Sequence, residues 1–123
     1  MGTLTTKLTV SGTAADYGAA INLSVSDSLS VEAPSKGVSR VDASAGVAVP
    51  LLAAGSAGTT FFYIKNNNTT GTASLQIEVA GGTDYGTLEN GEWAWIPVDT
   101  AAGVSVVAAG ATVEVEYAFW SRT

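Results

Sequence analysis

Two carboxylates, Glu114 and Glu116, stand two residues apart in the run VEVEYAFW. On an extended strand that spacing holds both on one face, roughly 6.5–7 Å apart. Acid–base attack on a glycosidic bond uses a pair of carboxyls at about such a separation. The same run argues the other way. Val113, Val115, Tyr117 and Phe119 alternate with Glu114, Glu116 and Ala118. The glutamates therefore occupy the polar side of an amphipathic strand, where a solvated carboxylate is ordinary. Glu89 and Glu92 bracket the turn signal ENG and make no better pair.

The rest of the composition narrows the chemistry further. The 123 residues include no His and no Cys. That removes the imidazole base, the commonest metal ligands, every thiolate and every disulfide. No Gly-rich phosphate loop ends in Lys-Ser or Lys-Thr, and no nucleophile elbow stands beside a base. Asp16 in AADYG and Asp84 in GGTDYG are the best calcium ligands on offer, but neither loop holds the several carboxylates a tight site needs. The expectation is a protein without catalytic residues, cofactor or metal.

Charge bears on partners. Eleven acidic and five basic residues leave a net charge of −6. The basic residues Lys7, Lys36, Arg40, Lys65 and Arg122 are scattered, so no patch suits phosphates, and nucleic acid is not an expected partner. Gly2 with Thr6 matches a loose myristoylation pattern that Thr-rich strands meet easily. No apolar run reaches membrane-spanning length and no secretory h-region follows Met1, so synthesis in a cytoplasm and no membrane partner are expected. Asn67 and Asn68 both begin N-x-T sequons and, on that route, would carry no glycan.

The three tryptophans invite more. In GEWAWIPV, Trp93 and Trp95 share one sheet face, with Glu92, Ala94 and Ile96 on the other. Pro97 then argues for an edge strand or a bulge. Trp120 has the parity of the glutamates, away from Val113–Phe119. Three readings stand: large core residues, a subunit interface, where Trp is enriched, or a platform for sugar rings.

The elements that must hold these residues are strands. Leu4 to Val10, Ile21 to Val25 with Leu29 and Val31, Val38 to Asp42, Phe61 to Lys65, Leu75 to Val79, Trp93 to Trp95, Val104 to Val106 and Val113 to Phe119 all read with a period of two. Clusters of Gly, Asn, Asp, Ser and Pro separate them, among them NNNTTG, which reads as a hairpin turn between its flanking strands. Val49–Gly58, VPLLAAGSAG, is ambiguous, with one helical turn allowed before Pro50 and Gly55 stop it. SGTAADYG at 11–18 echoes GGTDYG at 81–86, which shared turn chemistry accounts for. The fold expected is all-β: a single antiparallel β-sandwich over residues 1–123, jelly-roll or Ig-like, of about eight or nine short strands.

From VSRVDASAG to VEVEYAFW the chain resembles small β-rich virion proteins of marine and other tailed phages. The shared pattern is an aromatic strand Tyr63-Ile64-Lys65-Asn66, then Leu88, Gly91, Glu92 and Pro97, then a closing strand with Glu116, Tyr117, Phe119 and Trp120. The resemblance implies a non-enzymatic structural protein on the exterior of a virion. The leading expectation is a capsid decoration or cement protein that forms homo-oligomers, a trimer being the guess, and binds the major capsid protein or another virion protein. Trp93, Trp95 and Trp120 are the expected anchors, with Lys36 and Arg40 pairing acidic capsid loops. The Leu4–Val10 and Val113–Trp120 strands are candidates for sheets shared between subunits. A tail, neck or fibre position and a carbohydrate-binding module are the alternatives.

Overall fold

The computed structural model describes residues 2–13, 20–32, 38–54, 59–79, 82–99 and 103–122. Asp16, Lys36 and the SGTAADYG echo beyond Thr13 lie outside them. The described residues contain ten strands and no helix. They fall into two compact units, Met1–Glu32 with Thr123, and Ala33–Arg122.

The first unit is a long hairpin. Strand β1 (Gly2–Gly12) pairs antiparallel with β2 (Ile21–Glu32), from Gly2 opposite Val31 to Gly12 opposite Ile21. The period of two sorts this ribbon into two unlike faces. Leu4 faces Leu29, Leu8 faces Val25 and Val10 faces Leu23 on one side. Thr3 with Ser30, Thr5 with Ser28, Lys7 with Ser26 and Thr9 with Ser24 make up the other.

The second unit is an eight-stranded sandwich. Its strands are β3 (Ser39–Ala43), β4 (Ala48–Leu52), β5 (Thr59–Asn66), β6 (Ser74–Val79), β7 (Thr83–Leu88), β8 (Trp93–Asp99), β9 (Val104–Ala109) and β10 (Val113–Arg122). One sheet runs β3-β10-β5-β8 and the other β4-β9-β6-β7, every pair antiparallel. Only β6 to β7 is a hairpin; each of the other chain connections passes from one sheet to the other. Two four-stranded sheets wound in this way form a jelly roll.

The core lies between the sheets. Phe62, Ile64, Ile96, Val98, Val113 and Val115 come from the first, and Leu75, Ile77, Val104, Val106 and Leu88 from the second. Phe62 is fully buried and stacks on Tyr117 and Phe119, with ring centroids 6.2 and 5.9 Å away. Each such fully buried side chain contributes on the order of 1.5–3 kcal/mol by leaving water.

Three local expectations are corrected. The VPLLAAGSAG patch supplies strand β4, where Pro50 sits at a bulge and on a sheet edge, so its missing N–H costs no ladder bond. Tyr85 and Asp84 belong to edge strand β7 and not to a turn; pairing with β6, again through a bulge, overrides their turn propensity. NNNTTG does not close a hairpin, because β5 pairs with β10 and β8 while β6 pairs with β7 and β9. It carries the chain between the layers.

Candidate functional site

Strand register places the site on the outer face of the β3-β10-β5-β8 sheet. Arg40 is opposite Glu116, Glu116 opposite Lys65, and Lys65 opposite Trp93, one row across four strands. The next row sets Ala118 beside Tyr63 and Tyr63 beside Trp95; the third sets Trp120 beside Phe61 and Phe61 beside Pro97. Half of this face is charged and half is aromatic.

The aromatic half is a continuous stack. Phe61 lies against Trp95 at 5.8 Å with planes 10° apart, and Trp95 meets Trp120 at 5.7 Å. The Arg122 guanidinium caps the other ring, its Cζ 4.8 Å from the Phe61 centroid. These contacts bury Phe61 although it faces away from the core. Trp93 stands at the edge of the group and is 53% exposed. The core reading of the tryptophans therefore fails. Ala94, Ile96 and Val98 take the core positions of β8, as the alternation of WAWIPV requires. Pro97 lies, as expected, on a strand whose pairing among the described residues is with β5 alone.

The charged half is a braced cluster. Arg40 Nη2 lies 3.0 Å from Glu116 Oε2, and Arg40 Nη1 lies 3.4 Å from Glu114 Oε1. Arg40 Nε also donates to Glu116 Oε2 at 3.2 Å. The Tyr63 hydroxyl donates to Glu116 Oε1 at 3.0 Å, and Asn67 Nδ2 donates to Glu114 Oε1 at 2.6 Å. The Tyr63 hydrogen bond, with help from Arg40 and Lys65, holds the Glu116 carboxyl below the usual carboxylate range. Burial, and then the Glu116 charge, push the Tyr63 phenol up. Both oxygens of Glu116 are thus occupied by structural partners. The carboxylate is braced and only 18% exposed at its side chain, not freely solvated as the sequence suggests.

The asparagine loop supports this cluster from one end. Asn66 is completely buried. Its Nδ2 donates to the carbonyls of Leu88, at 3.1 Å, and Ala73, at 3.4 Å, while its Oδ1 accepts from Asn68 N at 3.1 Å. Asn68 exchanges bonds with Thr112 O and Glu114 N, both at 3.0 Å. The loop is a side-chain splice joining the ends of β5, β6, β7 and β10, with Gly71 supplying a left-handed position at φ 88°.

The structure brings Trp93, Trp95, Trp120 and Arg40 onto one face. Phe61, Tyr63 and Lys65 complete it and were missed as site residues, while Asn67 braces Glu114 at one end. FFYIKN is apolar at both parities, so alternation alone does not say which of Phe61 and Phe62 faces out. Strand β10 is flanked by β3 along Val113–Tyr117 and by β5 along Val115–Ser121, so along Val115–Tyr117 both of its edges are paired within the chain. Asp84 is exposed on β7, and among the described residues no group of three or more acidic side chains forms a metal cluster.

In comparison with known proteins, no family model matches the chain and no curated protein matches its sequence.

Proposed function

We propose that this chain is a non-enzymatic structural protein of a phage virion, a capsid decoration protein that oligomerises and docks on the major capsid protein. The observation that carries the reading is the outer face of the β3-β10-β5-β8 sheet, where an aromatic stack adjoins a braced ion cluster with Trp93 projecting from its edge. Aromatic residues and Arg presented on a rigid element have the chemistry of protein-interface anchors. The sheet fixes their positions, so little side-chain freedom is lost on docking. Jelly rolls recur among viral capsid proteins, an analogy of fold that supports the reading and does not carry it. The test is cosedimentation of purified chain with capsid shells stripped of it. Wild-type chain pellets with the shells, and Trp93→Ala lowers the bound fraction about tenfold or more; equal binding by the variant contradicts the assigned face.

The exposed indole of Trp93 favours a second reading, a sugar-binding platform with the polar groups of the Arg40 row alongside. Quenching or a spectral shift of Trp fluorescence on adding soluble glycans would favour it over the capsid reading.

A further inference from the structure

Asn90 is the one Asn in the chain that is followed by Gly. In such a pair the backbone nitrogen readily attacks the preceding side-chain amide, because glycine has no Cβ to hinder the approach. Gly91 N bonds to Asn90 Cγ, the Cγ–Nδ2 bond breaks, and ammonia leaves with the Gly91 amide proton. Water then opens the resulting succinimide ring at either carbonyl, leaving aspartate or isoaspartate at position 90.

The fold withholds what this reaction needs. Glu89–Glu92 is a turn closed by Glu92 N on Glu89 O at 3.0 Å and braced by Glu89 N on Glu92 Oε2 at 2.8 Å. Gly91 takes its third position, left-handed at φ 79°. The Gly91 N–H, the attacking group, is donated to Asn66 O at 2.9 Å. Asn66 N donates in turn to Glu92 O at 3.0 Å, and Asn66 Nδ2 to Leu88 O at 3.1 Å. The completely buried Asn66 thus holds the turn at three points. The leaving group is held as well, since Asn90 Nδ2 donates to Gly71 O at 2.6 Å. Asn90 Oδ1 is buried and meets no donor among the described residues. The negative charge that this oxygen gains during the attack would therefore find nothing to stabilise it.

We propose that Asn90 is a modification site kept shut by the Asn66 clamp, converted to isoaspartate or aspartate only when the Glu89–Glu92 turn opens, and that conversion leaves the turn weakened. A carboxylate at position 90 places charge on a buried oxygen without a donor and removes the bond to Gly71 O. Isoaspartate also lengthens the backbone by one carbon, which moves the Gly91 N–H off Asn66 O. Only contacts within the sandwich enter, so failure here leaves the virion reading standing.

Peptide mapping by mass spectrometry of the full chain, incubated at mildly alkaline pH with and without urea, tests this. Conversion through opening follows the open population, so the folded chain converts at least about tenfold more slowly than the unfolded one. Hydrogen exchange at the Gly91 amide is slowed in the same way. Asn66→Ala speeds conversion in the absence of urea by about tenfold or more, while Asn67→Ala, which braces Glu114 instead of the turn, leaves it unchanged. Asn90→Asp lowers the urea midpoint. Equal conversion with and without urea, a Gly91 amide that exchanges at the unfolded rate, or an Asn66→Ala chain that is folded by circular dichroism and converts no faster than wild type overturns the clamp. Should Asn66→Ala fail to fold, the wild-type conversion and exchange rates decide. An unchanged urea midpoint for Asn90→Asp overturns the weakening.

Discussion

The Tyr63 hydroxyl on β5 and the Glu116 carboxylate on β10 are joined across the ladder by a 3.0 Å hydrogen bond, with Arg40 holding the opposite carboxylate oxygen from β3. One carboxylate thus ties three strands together on the outer face. Its pKa lies below the usual carboxylate range because Tyr63 and then Arg40 favour the charged form, while burial and Glu116 raise that of Tyr63.

The sign of the pH dependence follows. A folded-state pKa lowered for Glu116 means stability present above its ordinary value and lost as pH falls through the lowered one. A raised pKa for Tyr63 means stability present below its ordinary value of about 10 and lost as pH rises through the raised one. Thermal unfolding across pH should show both flanks. Tyr63→Phe should flatten the alkaline flank and move the acid flank of Glu116 upward in pH.

Asn66 is the second point of leverage. Its side chain satisfies the Ala73 and Leu88 carbonyls and the Asn68 N–H in a fully buried position. Asn66→Ala strands those groups and should cost about 2 kcal/mol or more in urea unfolding. Asn66→Asp keeps the acceptor but replaces the donor with a buried charge, and should cost at least as much. Asn67→Ala, at the half-buried rim of the loop, should cost less than either.

Gly103 tests the close approach of β4 to β9. At φ 70° a Cβ there would lie 2.8 Å from Leu52 O and 2.9 Å from Ala54 N, both backbone atoms. Gly103→Ala combines a left-handed backbone with a clash that neither neighbour can relieve by a rotamer change. A loss of about 2 kcal/mol or more is expected by denaturant titration.

The aromatic face separates stability from recognition. Trp95 is stacked on Phe61 and Trp120, so Trp95→Ala should cost about 2 kcal/mol of stability by thermal unfolding. Trp93 projects into solvent, so Trp93→Ala should change stability by less than about 0.5 kcal/mol while weakening docking.

Strands with clean alternation were legible in the sequence. Val113 to Phe119 divides into core and outer residues as the period of two demands, and Trp120 takes the outer side. The two edge strands of the β4-β9-β6-β7 sheet were not. β4 contains Pro50 and β7 contains Asp84 and Gly86, residues that read as turn or breaker until a neighbouring strand pairs with them. Layer crossing was equally hidden, because Asn66–Asn68 and Gly71 supply the same turn chemistry to an arch as to a hairpin. The site was half legible. Trp93, Trp95, Trp120 and Arg40 were singled out one by one, but their shared face depends on the register of β8 on β5 and of β3 and β5 on β10, which no local pattern states.

The central claim is placement on a capsid lattice, and copy number tests it most directly. Quantitative mass spectrometry of purified particles from the source of this chain should give a ratio to the major capsid protein near one or a simple fraction of it. Absence from particles, or only a handful of copies in each, would contradict the decoration reading.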